Sequence, residues 1–100
     1  VIRHVAVFRF APSFTVAERE EWMAMLRALP DRIPQLRSMS VGADVLGGPS
    51  SHELAIVADF DDLEGLDAYT RHPAHAEVLE ISAPVKVSLA TVDFEVPDPS

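Results

Sequence analysis

Two strand-like segments, each followed by an amphipathic helical stretch, predict an α+β fold in which helices cover one face of a four-stranded antiparallel sheet. The segments are Ile2 to Phe10 (IRHVAVFRF) and Glu53 to Phe60 (ELAIVADF), and the clearest turn of the chain, Gly47-Gly48-Pro49-Ser50-Ser51, lies just before the second. One hundred residues leave room for one domain, expected over residues 1–96, with Pro97 to Ser100 (PDPS) as a flexible tail.

Each element follows from its pattern. In the first strand Ile2, His4, Ala6, Phe8 and Phe10 share one face, while Arg3, Val5, Val7 and Arg9 share the other. Thr15 and Glu18 have the spacing of a capping box, so a helix starts there, with Trp22, Met25, Leu26 and Leu29 on its inner side. Pro30 and Pro34 close it. Leu36 to Leu46 reads as an edge strand whose Gly42 could mark a bulge, and the turn joins it to the ELAIVADF strand as a hairpin. Asp61-Asp62-Leu63-Glu64 offers a second capping box with Asp61 as cap, opening a helix that runs to about Arg71 with Leu63, Leu66 and Tyr69 or Thr70 on one side. Pro73 biases His72 towards extended backbone, which predicts a corner at His72-Pro73 and a short separate helix over Ala74 to Ile81. Pro84 to Val96 is the last strand.

The order β-α-β, β-α-β is the ferredoxin-like split plan, with the two most apolar strands, the first and third, at the sheet centre. Helices then cover one face and leave Val5, Val7 and their neighbours bare on the other. A second copy is expected to cover that face, so that two sheets close into a dimeric α/β barrel. The high apolar share, 48% of residues, points the same way in so short a chain.

Composition narrows the partners. A formal net charge of -8 with eight scattered basic residues argues against nucleic acid. The absence of cysteine removes thiolate chemistry and disulfides and suits a reducing cytoplasm, the expected location. No apolar run is long enough to span a bilayer, and the start Val1-Ile2-Arg3-His4 lacks a signal-peptide pattern, so no membrane partner is expected.

The residues able to carry chemistry gather in Tyr69-Thr70-Arg71-His72-Pro73-Ala74-His75, with His4 in the first strand. The combination of an early strand histidine, the helix TVAEREEWMAMLRALPDRIP, a glycine-bearing second strand and the YTRHPAH segment resembles the stress-responsive dimeric α/β-barrel domain family over nearly the whole chain. Within it the chain is similar to plant polyketide cyclases of the olivetolic acid cyclase type, which close a linear polyketide by an intramolecular aldol reaction without a cofactor. That resemblance implies His75 as base, Tyr69 as hydrogen-bond donor to a developing oxyanion and His4 as a supporting polar contact. It also implies a pocket between the helices and the sheet, for which Ala6, Phe8, Trp22, Met23, Leu26 and Val78 are the candidate substrate-contacting residues. Because Ala76, Glu77 and Val78 follow His75 here instead of the cyclase's glycine and aromatic series, a different substrate is expected.

The residues support part of this chemistry unaided. In the first turn of a helix opened by Pro73, the positive end of the helix dipole disfavours an imidazolium at His75 and keeps a neutral base available. Purely structural roles compete: a satisfied core histidine at His4, a core aromatic at Tyr69, a carbonyl-bonded His75, a corner residue at His72 and a solvated His52. A metal site built from the histidines with Asp59, Asp61 and Asp62 is not expected, since the proline breaks the His72 to His75 spacing and Asp61 is read as a cap. No cofactor is expected. The rival to the enzyme is a non-catalytic stress-responsive dimer that binds a hydrophobic ligand or acts as a stable scaffold.

Overall fold

The alternation of β1 (Ile2–Phe10) sets the layers, because its odd and even positions must go to different faces of the sheet. In the structure, a computed structural model that describes residues 1–97, Ile2, Ala6, Phe8 and Phe10 are buried beneath the helices. The strand pairs antiparallel with β3 (Leu54–Phe60) on one side and β4 (Lys86–Glu95) on the other. β2 (Leu36–Ala43) adds to the far side of β3, giving the order β2-β3-β1-β4 with the two most apolar strands central, as expected. The helices are α1 (Val16–Arg27), α2 (Leu63–Arg71) and α3 (Pro73–Ser82), with a 3₁₀ turn at Leu29–Asp31. The fold is ferredoxin-like, βαββαβ. Of the tail expected over Pro97 to Ser100, residues 98–100 lie outside the described residues.

The caps show how local chemistry starts the helices. At α1 the Thr15 hydroxyl accepts from the Glu18 N–H at 3.2 Å and the Glu18 carboxylate accepts from the Thr15 N–H at 3.0 Å. Those two bonds, the backbone one first, hold the Glu18 carboxyl below its ordinary pKa. At α2 the expectation is corrected by one residue: Asp62 is the cap, accepting from the Gly65 N–H at 2.8 Å. Asp61 instead faces Arg37 at 3.2 Å. Asp62 combines extended backbone (φ -156°, ψ 178°) with a carboxylate in reach of the N–H three residues on.

Two further expectations shift. The register break in β2 falls between Leu36 and Ser38, not at Gly42. The strand stops at Ala43, so Val45 and Leu46 stand in the loop, 100% and 82% exposed. Gly47 alone takes the left-handed backbone the loop requires, with φ 66°. Leu63 opens α2 on its wet side, leaving Gly65 and Tyr69 as that helix's buried residues.

The core is aromatic at its centre. Trp22 meets Phe8 and Phe10 edge to face with ring centroids 5.4 and 5.5 Å apart, and Phe14 stacks its edge on Phe10 at 4.9 Å. The Trp22 indole N–H donates to the Val78 carbonyl at 2.9 Å, which ties α1 to α3. On the other face of the sheet the register aligns Val5 with Val57 and Val92, Val7 with Ala55 and Ala90, and Arg3 with Phe94. This apolar stripe is uncovered in the single chain, with Val92 55% and Phe94 44% exposed. A bidentate pair, Arg3 to Asp59 at 2.9 and 3.0 Å, borders it.

The two acidic neighbours before α2 make separable predictions. Asp62→Ala removes a helix cap and is expected to cost about 1 kcal/mol of stability in denaturant unfolding. Asp61→Ala removes an exposed ion pair and is expected to cost only roughly a few tenths of a kcal/mol. Equal losses would overturn the assignment of the cap.

Candidate active site

α2 and α3 meet at a sharp corner, and that corner brings a phenol and an imidazole together. α2 ends at Arg71, His72 takes extended backbone (φ -68°, ψ 137°), and Pro73 opens α3 with a φ already suited to a helix. Tyr69 in the last turns of α2 and His75 in the first turn of α3 come face to face, with ring centroids 4.3 Å apart and an interplanar angle of 36°. His4, on the helix-facing side of β1, reaches the same place, its ring 6.4 Å from that of Tyr69. The structure thus brings together all three residues singled out in the sequence.

Each imidazole is oriented by a hydrogen bond. The Nδ1 of His75 lies 3.2 Å from the Thr70 carbonyl oxygen, an acceptor only, so a neutral ring carries its proton on Nδ1 and leaves the Nε2 lone pair free. The Nδ1 of His4 lies 2.6 Å from a carboxylate oxygen of Asp93, its direct partner across the β1–β4 pairing. Donation to that carboxylate likewise leaves Nε2 of His4 as the free nitrogen. Asp93 escaped the sequence reading because its partnership exists only through strand register. The one local signal was a carboxylate between Val92 and Phe94.

Burial sets the protonation states. Tyr69 is 2% exposed, and desolvation of its phenolate pushes the phenol up to about 12. It remains a donor at every ordinary pH. No side-chain hydrogen bond among the described residues uses its hydroxyl, and no fully buried side-chain polar atom among them lacks a partner. The oxygen therefore reaches the surface of an otherwise covered ring. Burial also lowers the pKa of His75, opposed by the Thr70 carbonyl and assisted by the nearby His4. A neutral base thus stands beside a protonated donor.

The six candidate contact residues form the packed layer behind this group. Ala6, Phe8, Trp22, Met23, Leu26 and Val78 are all 4% exposed or less. None of five well-formed surface concavities is bordered by His4, Tyr69 or His75. One of these, about 530 Å³, lies on the other face of the sheet against Val7, Ser40, Gly42, His52 and Val57. Beside the site, β4 is exposed along nearly its whole length in the single chain, and the Asp93 side chain is 38% exposed. His72 does not join the site, since its Nδ1 accepts from the Ala74 N–H at 3.0 Å. Among the described residues no three His, Asp or Glu side chains gather as a metal site.

The profile of the stress-responsive A/B barrel domain family matches residues 2–96. The chain belongs to that family. A dimeric ferredoxin-like protein of unknown function from Thermobifida fusca is similar to it, at 36% identity over 95% of this chain and 90% of that one, with a TM-score of 0.86. A dimeric protein of unknown function and ferredoxin-like fold from Bacteroides fragilis is 29% identical over 95% of each chain, with a TM-score of 0.78. A hydroxynitrile lyase from Passiflora edulis shares the fold at 14% identity, 99% of this chain and 95% of that one, with a TM-score of 0.83. No curated protein matches the sequence. No helix among the described residues is long and apolar enough to cross a membrane.

Tyr69 is the only tyrosine of this family member, so phenolate absorbance in an alkaline titration reads it alone. The folded protein is expected to ionise near pH 12, whereas the unfolded chain ionises near about pH 10. Because the folded phenol holds its proton longer, stability falls as pH rises from about 10 towards 12. Native ionisation at the ordinary value would show that the ring is not buried as described.

Proposed function

We propose that the protein is a homodimer that performs cofactor-independent acid/base chemistry on a small carbonyl compound, with aldol closure of a poly-β-ketone chain as its sharpest form. The observation that carries this reading is the contact of Tyr69 with His75, whose Nδ1 is tied to the Thr70 carbonyl. The free Nε2 of His75 takes a proton from the carbon beside a carbonyl, and the Tyr69 hydroxyl donates to the resulting enolate oxygen. The enolate carbon attacks a second carbonyl of the same chain, and the new alkoxide recovers the proton from His75. One carbon–carbon bond forms, and no electron leaves the substrate. His4, held by Asp93, supplies the supporting polar contact at the carbonyl. The likeness to polyketide cyclases of the olivetolic acid cyclase type supports the same roles. The hydroxynitrile lyase of similar fold shows one enzyme built on this architecture. Ala6, Phe8, Trp22, Met23, Leu26 and Val78 are proposed as the apolar wall against which the substrate would press.

The dimer follows from the uncovered stripe of Val5, Val57, Val92 and Phe94, and the similar Thermobifida and Bacteroides proteins are described as dimeric. A second sheet packed on it closes the barrel. We place the dimer in the cytoplasm, with neither nucleic acid nor membrane as a partner.

A second reading is favoured by the dense packing around the six wall residues and by the position of the five well-formed concavities, all away from His4, Tyr69 and His75. In it the protein is a non-catalytic stress-responsive dimer that holds a hydrophobic ligand or serves as a stable scaffold.

Turnover of poly-β-ketone substrates separates the two. The enzyme reading expects His75→Ala to lower turnover by about 10²–10⁴-fold. It expects Tyr69→Phe to lower it by about 10²–10³-fold. Unchanged turnover in both variants removes the mechanism, and an inert wild type favours the second reading. In the active protein, neutral His75 is the working form, so the rate holds above its lowered pKa and falls below it, an acid limb under about 6.5. Sedimentation checks the assembly: Val92→Asp puts a charge in the stripe and is expected to give a folded monomer.

A further inference from the structure

We infer that His72, which touches neither Tyr69 nor His75 by its ring bonds, is the positioning residue that sets their mutual geometry. The inference rests on the acid/base reading for its catalytic meaning, but its geometry stands independently.

Pro73 has no N–H, so the first turn of α3 presents two amides without a helical acceptor, those of Ala74 and His75, before Ala76 makes the first regular helical bond. His72 satisfies both and accepts that first bond as well. Its ring Nδ1 takes the Ala74 N–H at 3.0 Å, and its carbonyl takes the His75 and Ala76 N–H groups at 3.0 and 3.1 Å. Its own N–H donates back to the Tyr69 carbonyl at 3.2 Å. One residue therefore bonds to the main chain of both site residues, and the 4.3 Å approach of their rings is built across it.

An imidazole is an uncommon helix cap, where Ser, Thr, Asn and Asp prevail. Here the ring can accept only through an unprotonated Nδ1, so the proton of neutral His72 sits on Nε2. His75 has the opposite tautomer because its Nδ1 donates to Thr70. The two histidines of the HPxH segment thus have complementary proton positions: the first accepts to fix the turn, and the second donates to aim its free nitrogen. If the cap opens, the first turn of α3 loosens, the His75 to Thr70 bond loses its fixed partner, and the ring re-enters water.

The test reads ring-nitrogen chemical shifts of isotope-labelled histidines in the full chain, with no substrate needed. In the wild type, His75 is expected to show one tautomer, protonated at Nδ1, and a titration midpoint below the ordinary value. The groups facing it are Tyr69 from α2 and His4 from β1, the latter bonded to Asp93 of β4. His72→Ala is expected to give averaged His75 tautomers and a midpoint raised towards about 6.5. His72→Asn, whose short amide oxygen can cap the same N–H, is expected to restore both signatures. An Ala variant with wild-type His75 shifts overturns the inference, as does an Asn variant that fails to restore them. If the Ala variant does not fold, His72→Gln takes its place, since its longer side chain caps poorly, and identical His75 behaviour in Asn and Gln variants overturns the inference. If the tautomers respond as expected while wild-type protein turns over no carbonyl substrate, the positioning role stands and the proposed activity falls.

Discussion

The constraint on which the structure depends is that β1 is apolar on both faces while the helices can cover only one. Its even positions, from Ile2 to Phe10, take the helical layer and build the aromatic core around Trp22. Its odd positions, Val5 and Val7, are left with matching residues of β3 and β4. A sheet with one wet face normally alternates towards polar side chains there. This one keeps valine and phenylalanine, which makes the bare face a demand for a partner sheet. His4 falls on the helical side by the same alternation, so the parity that creates the dimer face also delivers an imidazole beneath the helices.

The site exists because two short helices replace one. Were the α2 pattern to continue through residue 73, the proline ring would clash with the carbonyl four residues earlier, at Tyr69. The chain instead turns at His72, and the bend folds His75 back onto Tyr69. Burial then separates the two groups chemically, raising the phenol and lowering the imidazole, so one donates and the other accepts over the same range of pH.

Much of this was legible in the residues. Alternation in IRHVAVFRF and ELAIVADF placed both strands at the sheet centre, Thr15 and Glu18 placed the first helix, and Pro73 placed the corner. What escaped was whatever depends on register or on a choice between identical neighbours. Asp61 and Asp62 offer the same carboxylate, and only the backbone path out of β3 decides which one caps. Gly42 looked like a bulge, yet β2 breaks register beside Arg37. Asp93 and His4 lie 89 residues apart and meet only because β4 pairs with β1 in one register. The pocket expected at Trp22, Met23 and Leu26 is packed side chain in the single chain, a property of summed volumes that no local pattern encodes.

The placement of Asp93 has a consequence for how the site fails. Its strand is one of the two edges of the sheet, flanked by β1 alone and, in the single chain, exposed along nearly its whole length. Weakly packed elements can open locally at a lower free energy than global unfolding. Each such fluctuation would carry the carboxylate away from His4 while Trp22 and the central strands stay in place. In the single chain the pairing of His4 with its orienting acid is thus open to a fluctuation that leaves the core folded, and a partner sheet packed on Val92 and Phe94 would close that route.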